Sequence, residues 1–117
     1  MINIVNIVAI VALLVMLAIQ VVGLYSASVP GPDGPDGSDK VGHLLAFAGP
    51  TALAWLLGAR WLVPVLVLHA LVAEPVQSWV APGRMTDPWD AVANLLGIVL
   101  GVVVARGLGR SWAKMEV

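Results

Sequence analysis

The sequence contains no cysteine and few charged residues. The absence of cysteine excludes disulfides, thiolate metal sites and cysteine nucleophiles. Asp, Glu, Lys and Arg make up 11% of the chain, whereas they make up about a quarter of a typical soluble domain. The six Lys and Arg residues are scattered along the chain. Because nucleic-acid binding depends on clustered cations, the sequence predicts no nucleic-acid partner.

Apolar residues dominate instead, at 60% of 117 residues. They form four segments long enough to cross a bilayer, which takes about 20 helical residues. These segments cover about residues 2–25, 40–59, 61–80 and 88–106. The sequence therefore predicts an all-α integral membrane protein, with residues 1–117 forming a single four-helix transmembrane domain surrounded by membrane lipids. A homo-oligomer of such bundles is compatible with this composition.

The charges between the predicted helices predict an orientation. Residues 30–38 are rich in Gly, Pro and Asp, which indicates an exposed loop between the first two helices. Arg60, Arg106, Arg110 and Lys114 fall on one side of the membrane, and Lys40 and Arg84 on the other. Because cytoplasmic loops carry the excess of Lys and Arg, we expect both termini to be cytoplasmic.

The remaining polar residues converge at the opposite, outer level of the bundle. They come from the second, third and fourth predicted helices and the segment before the fourth: Asp39, Lys40, His43, Glu74, Gln77, Arg84, Asp87, Asp90 and Asn94. An ionisable group facing lipid costs on the order of 3 kcal/mol, so such groups normally face the bundle interior. The sequence predicts that these nine residues line an outward-facing ligand-binding pocket.

One face of the fourth helix carries both polar and small residues. At about 100° per residue, Asp87, Asp90, Asn94, Gly97 and Gly101 share a single stripe. The two glycines predict a close approach by a neighbouring helix, which would bring the polar residues against those of other helices.

Two prolines lie within predicted helices. Pro75 in the third helix and Pro50 in the second each remove a backbone donor. We expect each proline to bend its helix and leave a carbonyl oxygen available to a partner or ligand.

Several of these residues also have ordinary structural interpretations. Asp87 lies where a helix N-cap is expected. Lys40 and Arg84 could extend towards water or pair with a nearby Asp. His43 could form a structural hydrogen bond, act as a general base or bind a metal. His69 is expected to form a separate hydrogen bond between helices.

The polar residues resemble the pattern of a known family. The matching positions are Asp39, Lys40, His43, Phe47, Glu74, Gln77, Arg84, Asp87, Asp90, Asn94, Gly97 and Gly101. In order and spacing they resemble the VanZ-like family of small bacterial membrane proteins. The resemblance implies a four-helix protein of the bacterial cytoplasmic membrane. The founding member of this family is linked to low-level resistance to the glycopeptide teicoplanin. Leu44, where an aromatic residue is more usual, and Pro75 depart from the pattern.

Three classes of function are compatible with these residues. The first is binding of a cell-envelope lipid, a lipid-linked glycan precursor or a glycopeptide, with Lys40 and Arg84 contacting phosphate or carboxylate. The second is an intramembrane hydrolase or transferase, with His43, Glu74 and Asp90 as catalytic candidates and a divalent cation as an option. The third is transport, which a missing continuous polar path disfavours. The sequence favours binding and predicts no cofactor.

Overall fold

The computed structural model describes residues 3–26, 38–80 and 87–115. Its helices are α1 (Ile4–Tyr25), α2 (Ser38–Leu56), α3 (Leu62–Val80) and α4 (Pro88–Met115). The predicted all-α helical bundle is confirmed. Most of the predicted loop over residues 30–38, and Arg84, lie outside the described residues.

Two helix C-termini differ from the prediction by three residues or more, those of α2 and α4. α2 ends at Leu56 because Gly58 adopts a left-handed conformation, with φ of 78°. The amide of Gly58 donates to the Trp55 carbonyl, and that of Ala59 to the Ala54 carbonyl. This pair of bonds is a Schellman motif.

α4 is longer than predicted and reaches Met115. The prediction ended with the apolar segment near residue 106, whereas the helix continues as a polar extension. At 1.5 Å per residue it spans about 42 Å, which exceeds the roughly 30 Å of a bilayer's hydrocarbon core.

Three of the described helices are long and apolar enough to cross a membrane: Ile4–Tyr25, Leu62–Val80 and Pro88–Lys114. Large apolar side chains cover their outer faces, among them Ile4, Val8, Leu14, Ile19, Leu68, Leu71, Leu96, Val99 and Val103. So much exposed apolar surface is typical of a lipid-facing protein. α2 is not among these three helices, because polar residues begin it and Pro50 and Thr51 interrupt its apolar stretch.

The most extensive helix–helix interface joins α2 to α4. α1 packs against α2 and α3, and α3 also contacts α4. Phe47 of α2 is fully buried at the centre of the apolar core. The other members of this core are Leu24, Leu66, Ala70, Ala73 and Ile98.

A network of polar side chains ties α1 to α2 and α3. The Gln20 Nε2 donates to the carbonyl of Ala46 at 2.8 Å, and the Gln20 Oε1 lies 2.9 Å from Nδ1 of His69. The hydroxyl of Tyr25 lies 2.6 Å from the other ring nitrogen of His69. The predicted separate hydrogen bond of His69 between helices is therefore confirmed.

Pro50 explains why Gln20 finds this partner. In a regular helix the carbonyl of residue 46 accepts from the amide of residue 50, but a proline has no amide hydrogen. The freed Ala46 oxygen is filled by the Gln20 side chain. The prediction that Pro50 makes a carbonyl available to a partner is confirmed.

Glycines bring the backbones of α2 and α4 together. A Cβ atom added at Gly97 would overlap the carbonyl oxygen of Leu44, and one added at Gly101 would lie 2.6 Å from the carbonyl oxygen of Ala48. Both overlaps involve backbone atoms, so neither could be relieved by a rotamer change. The predicted close approach at these glycines is confirmed, and the approaching helix is α2.

We expect Gly97→Ala to lower stability by roughly 2 kcal/mol or more, because α2 and α4 must separate to admit the methyl group. Thermal unfolding of the purified protein in detergent measures the change. Gly107→Ala is the matched control, because a Cβ there meets nothing within 4 Å. Alanine at that position should be neutral or slightly stabilising. Equal stability of the two variants would contradict the close-approach interpretation.

Candidate functional site

Polar residues from α2, α3 and α4 meet at one end of the bundle. We call this group the polar cluster; it consists of Lys40, His43, Glu74, Gln77, Asp87, Asp90 and Asn94. Seven of the nine predicted site residues therefore lie at one level of the fold. Asp39 is in the first turn of α2, but its side chain lies outside the described part of the structure, as does all of Arg84.

Lys40 forms ion pairs with two carboxylates at the start of α4. Its Nζ lies 2.6 Å from Oδ1 of Asp90 and 3.3 Å from Oδ2 of Asp87. The Asp90 side chain is only 5% exposed, compared with 45% for Asp87. The ion-pair interpretation of Lys40 is confirmed, and the stronger contact is the buried one.

His43 lies between two oxygen atoms from α4. Its Nδ1 is 2.9 Å from Oδ1 of Asn94, and its Nε2 is 3.4 Å from Oδ2 of Asp90. A neutral imidazole carries one N–H and can donate to only one of these oxygens. A doubly protonated ring satisfies both oxygens, and so does a neutral ring with a cation held between one nitrogen and its oxygen.

Glu74 connects α3 to the start of α4. Its Oε2 accepts a hydrogen bond from the amide of Asp87 at 2.9 Å. Oδ1 of Asp87 in turn accepts from the amide of Trp89 at 2.9 Å, which is an N-cap bond. The capping interpretation of Asp87 is confirmed, and the cap residue also contacts Lys40.

Gln77 connects α3 to the last turn of α1. Its Nε2 donates to the carbonyl of Leu24 at 2.7 Å. Carbonyls in the last turn of a helix have no intrahelical donor, so Gln77 supplies one that the helix cannot. Gln77 is 1% exposed.

Four buried atoms of the polar cluster have no hydrogen-bond partner among the described residues. One of them, Oδ1 of Asp90, is ion-paired with Lys40, and three have neither kind of partner there: Oε1 of Glu74, Oε1 of Gln77 and Nδ2 of Asn94. A buried polar atom left in this state costs about 1–3 kcal/mol. Two of these three atoms accept hydrogen bonds and one donates. A hydroxyl group does both, so ligand hydroxyls match this set of unsatisfied atoms.

A cavity of about 300 Å³ adjoins the cluster between α1 and α2. It is lined by Ile19, Gln20, Gly23, Leu24, Gly42, His43 and Ala46. His43 belongs to both the cavity wall and the polar cluster. Ile19 and Gly42 are exposed, so the cavity opens at the apolar side of the bundle.

The cluster also has the side chains for a cation site. Single ligand atoms of His43, Glu74 and Asp90 lie within 4.8 Å of one another. Ligands bonded to tetrahedral zinc at 2.0–2.2 Å are about 3.5 Å apart, so atoms within 4.8 Å of one another could reach a common cation with at most small side-chain movements. The positive Nζ of Lys40 competes with any cation for Asp90.

Sequence reasoning identified these residues but missed Gln20 and the carbonyl of Leu24. Gln20 is a lone polar residue deep in the first apolar segment, 2% exposed in the structure. A single glutamine within a long apolar stretch was the available sign that its side chain is buried and hydrogen-bonded to another helix. The Leu24 carbonyl has no side-chain signature at all.

The fold and the lipid-facing surface define an integral membrane helical bundle with a buried polar cluster at one end. No protein-family model, no curated protein and no solved structure matches the chain.

We expect Asp90→Asn to destabilise the protein by about 3 kcal/mol, because it leaves a buried charge pair incomplete. Asp87→Asn should cost less than about 1 kcal/mol, since Asn keeps the N-cap and the lost charge is half-exposed. Thermal unfolding of the two variants at one pH gives the comparison. An equal or reversed order would show that Asp90 is not the main partner of Lys40.

Proposed function

We propose that this protein binds the hydroxyl- and amide-bearing headgroup of a cell-envelope lipid or lipid-linked glycan precursor in the polar cluster. The observation that carries the proposal is a set of three buried atoms, on Glu74, Gln77 and Asn94, that have no partner in the described part of the chain. Because these atoms are buried, bulk water does not reach them. A ligand with several hydroxyls supplies donors to the first two residues and an acceptor to the third.

The charges of the cluster favour such a headgroup over direct phosphate binding by Lys40. Its described residues include one cation, Lys40, and three carboxylates, those of Glu74, Asp87 and Asp90. Lys40 is already paired with two of the carboxylates. An anion placed beside it would meet uncompensated negative charge. Arg84 is therefore the better proposed contact for phosphate or carboxylate.

The cavity between α1 and α2 supports a ligand with an apolar chain. It begins at His43 and opens at the lipid-facing side of the bundle. A lipid could place its headgroup in the polar cluster and its chain in this cavity without leaving the membrane. The resemblance to VanZ-like proteins extends the proposal to glycopeptides such as teicoplanin, and to a contribution to glycopeptide resistance.

A second candidate function is an intramembrane hydrolase or transferase that uses a divalent cation. The spacing of His43, Glu74 and Asp90 supports it. Both ring nitrogens of His43 face oxygen atoms. This arrangement is compatible with a neutral ring whose Nε2 shares a cation with Asp90. We rank this function below binding, because the Lys40 ammonium lies 2.6 Å from Asp90 and repels a second cation there.

We expect Glu74→Gln to reduce retention of glycan-bearing lipids about tenfold or more, because it removes a charged acceptor from the cluster. The remaining amide oxygen can still accept from the Asp87 amide. Mass spectrometry of lipids co-purified from bacterial membranes, with elemental analysis of the same samples, gives both readouts. Thr51→Val is the control, since Thr51 is buried outside the polar cluster and its described hydrogen bond, to the Phe47 carbonyl, lies within α2.

Unchanged glycolipid retention in Glu74→Gln would contradict the binding proposal. A stoichiometric divalent metal in the wild type that is lost in Glu74→Gln would instead favour the second candidate. Loss of retention in Thr51→Val as well would show that the effect arises from general destabilisation.

We also propose that both termini are cytoplasmic, in a bacterial cytoplasmic membrane. Arg60, Arg106, Arg110 and Lys114 support this orientation, because all four lie at the end opposite the polar cluster. A tag at the C-terminus should therefore be accessible to a membrane-impermeant reagent only after the cells are opened. Labelling of the tag in intact cells would show that the C-terminus lies outside and would contradict the proposed orientation.

A further inference from the structure

A second cavity lies at the other end of the bundle and differs in chemistry from the polar cluster. It has a volume of about 680 Å³. Its walls come from the end of α2, the α2–α3 connection and the last part of α4: Trp55, Leu56, Arg60, Ala105, Arg106, Gly109, Trp112 and Ala113. Volumes of this size are typical of ligand sites in proteins. We call it the basic cavity.

The charge of the basic cavity has one sign. Arg60 and Arg106 line it, and none of its described lining residues is acidic. The guanidinium of Arg60 lies 4.2 Å from the centre of the Trp55 ring. This cation–π contact restrains the Arg60 side chain, and its N–H groups can still donate hydrogen bonds. Arg recognises phosphate through two parallel hydrogen bonds from its planar guanidinium.

The surroundings of the cavity place it at a membrane–water interface. α4 continues past its apolar segment here, and α2 ends at Leu56. Two tryptophans, Trp55 and Trp112, are in the cavity wall. Tryptophan is enriched at the level of lipid headgroups, where its ring is partly in lipid and partly in water.

An apolar cavity adjoins the basic cavity. It has a volume of about 370 Å³ and is lined by Ile4, Val5, Val8, Ala9, Ala12, Leu53 and Trp112. Trp112 lines both cavities. A phosphate-sized polar group beside the two arginines would therefore have an apolar surface next to it, running along the first turns of α1.

From this arrangement we propose that the basic cavity binds an anionic phospholipid, with its phosphate between Arg60 and Arg106 and an acyl chain against α1. The site is separate from the polar cluster and does not depend on the function proposed for it. A free phosphate ion would use the arginines but would leave the apolar cavity empty. The presence of Trp112 in the walls of both cavities, which puts an apolar surface beside the arginines, favours the lipid.

The tryptophans of the site provide the measurement. Brominated acyl chains quench tryptophan fluorescence on contact, so quenching by brominated phosphatidylglycerol can be compared with quenching by brominated phosphatidylcholine in nanodiscs. The full-length protein is used in a background that retains the two cavity tryptophans. The other three are exposed and are replaced: Trp61→Phe, Trp79→Phe and Trp89→Phe.

We expect phosphatidylglycerol to quench at lower mole fraction than phosphatidylcholine. Arg60→Gln with Arg106→Gln should reduce this preference by at least about tenfold, because each substitution removes charge-assisted hydrogen bonds to the bound phosphate, which contribute roughly tenfold or more to binding. The control is Arg110→Gln with Lys114→Gln, which removes two positive charges that do not line the cavity. This double variant should largely keep the preference for phosphatidylglycerol.

Three outcomes would overturn the proposal. One is equal quenching by the two lipids in the protein that retains all its arginines, a result that needs no arginine variant to fold. Another is an equal loss of preference in both double variants, which would indicate a general surface charge effect. The third is removal of the preference by inorganic phosphate added to the nanodiscs, which would identify a phosphate site rather than a lipid site.

Discussion

The close approach of the α2 and α4 backbones at Gly97 and Gly101 is the constraint on which the rest of the structure depends. No side chain separates the helices there, so their register cannot change without backbone overlap. That register places His43 beside Asn94, and Lys40 beside Asp90. α1 and α3 then pack against the α2–α4 pair, whose relative position is already fixed. The glycines thus act on the polar cluster from one to three helical turns away, although they contribute no polar atom to it.

The bilayer makes the hydrogen bonding of this bundle informative. Where backbone groups lose their helical partners, side chains replace them: Gln20 at the carbonyl freed by Pro50, and Gln77 at the last turn of α1. Both glutamines are almost fully buried. Even these carbonyls are satisfied, whereas three buried atoms of the polar cluster find no partner within residues 3–26, 38–80 and 87–115. That contrast is a physical reason to place ligand binding in the cluster.

Much of this could be read from the sequence, because apolar segments and helical periodicity are local patterns. The helices, the glycine stripe of α4 and the depth of Glu74 follow from spacing alone. The partners do not. The spacing cannot show that Lys40 pairs with Asp90 in preference to the more exposed Asp87, since this depends on how α2 is rotated against α4. Gln20 was missed for a similar reason: its acceptor is a backbone oxygen on another helix. The polar end of α4 was missed because hydropathy identifies only the part of a helix that lies in lipid.

The modest hydropathy of α2 has a consequence for biosynthesis. α2 leaves the ribosome before α4, yet the acceptors for Lys40 and His43 are on α4. An isolated α2 would enter the bilayer with these groups unpaired, at a cost of several kcal/mol. We therefore expect the fourth segment to stabilise the second in the membrane, so that the packing of α2 is completed only after α4 has been synthesised.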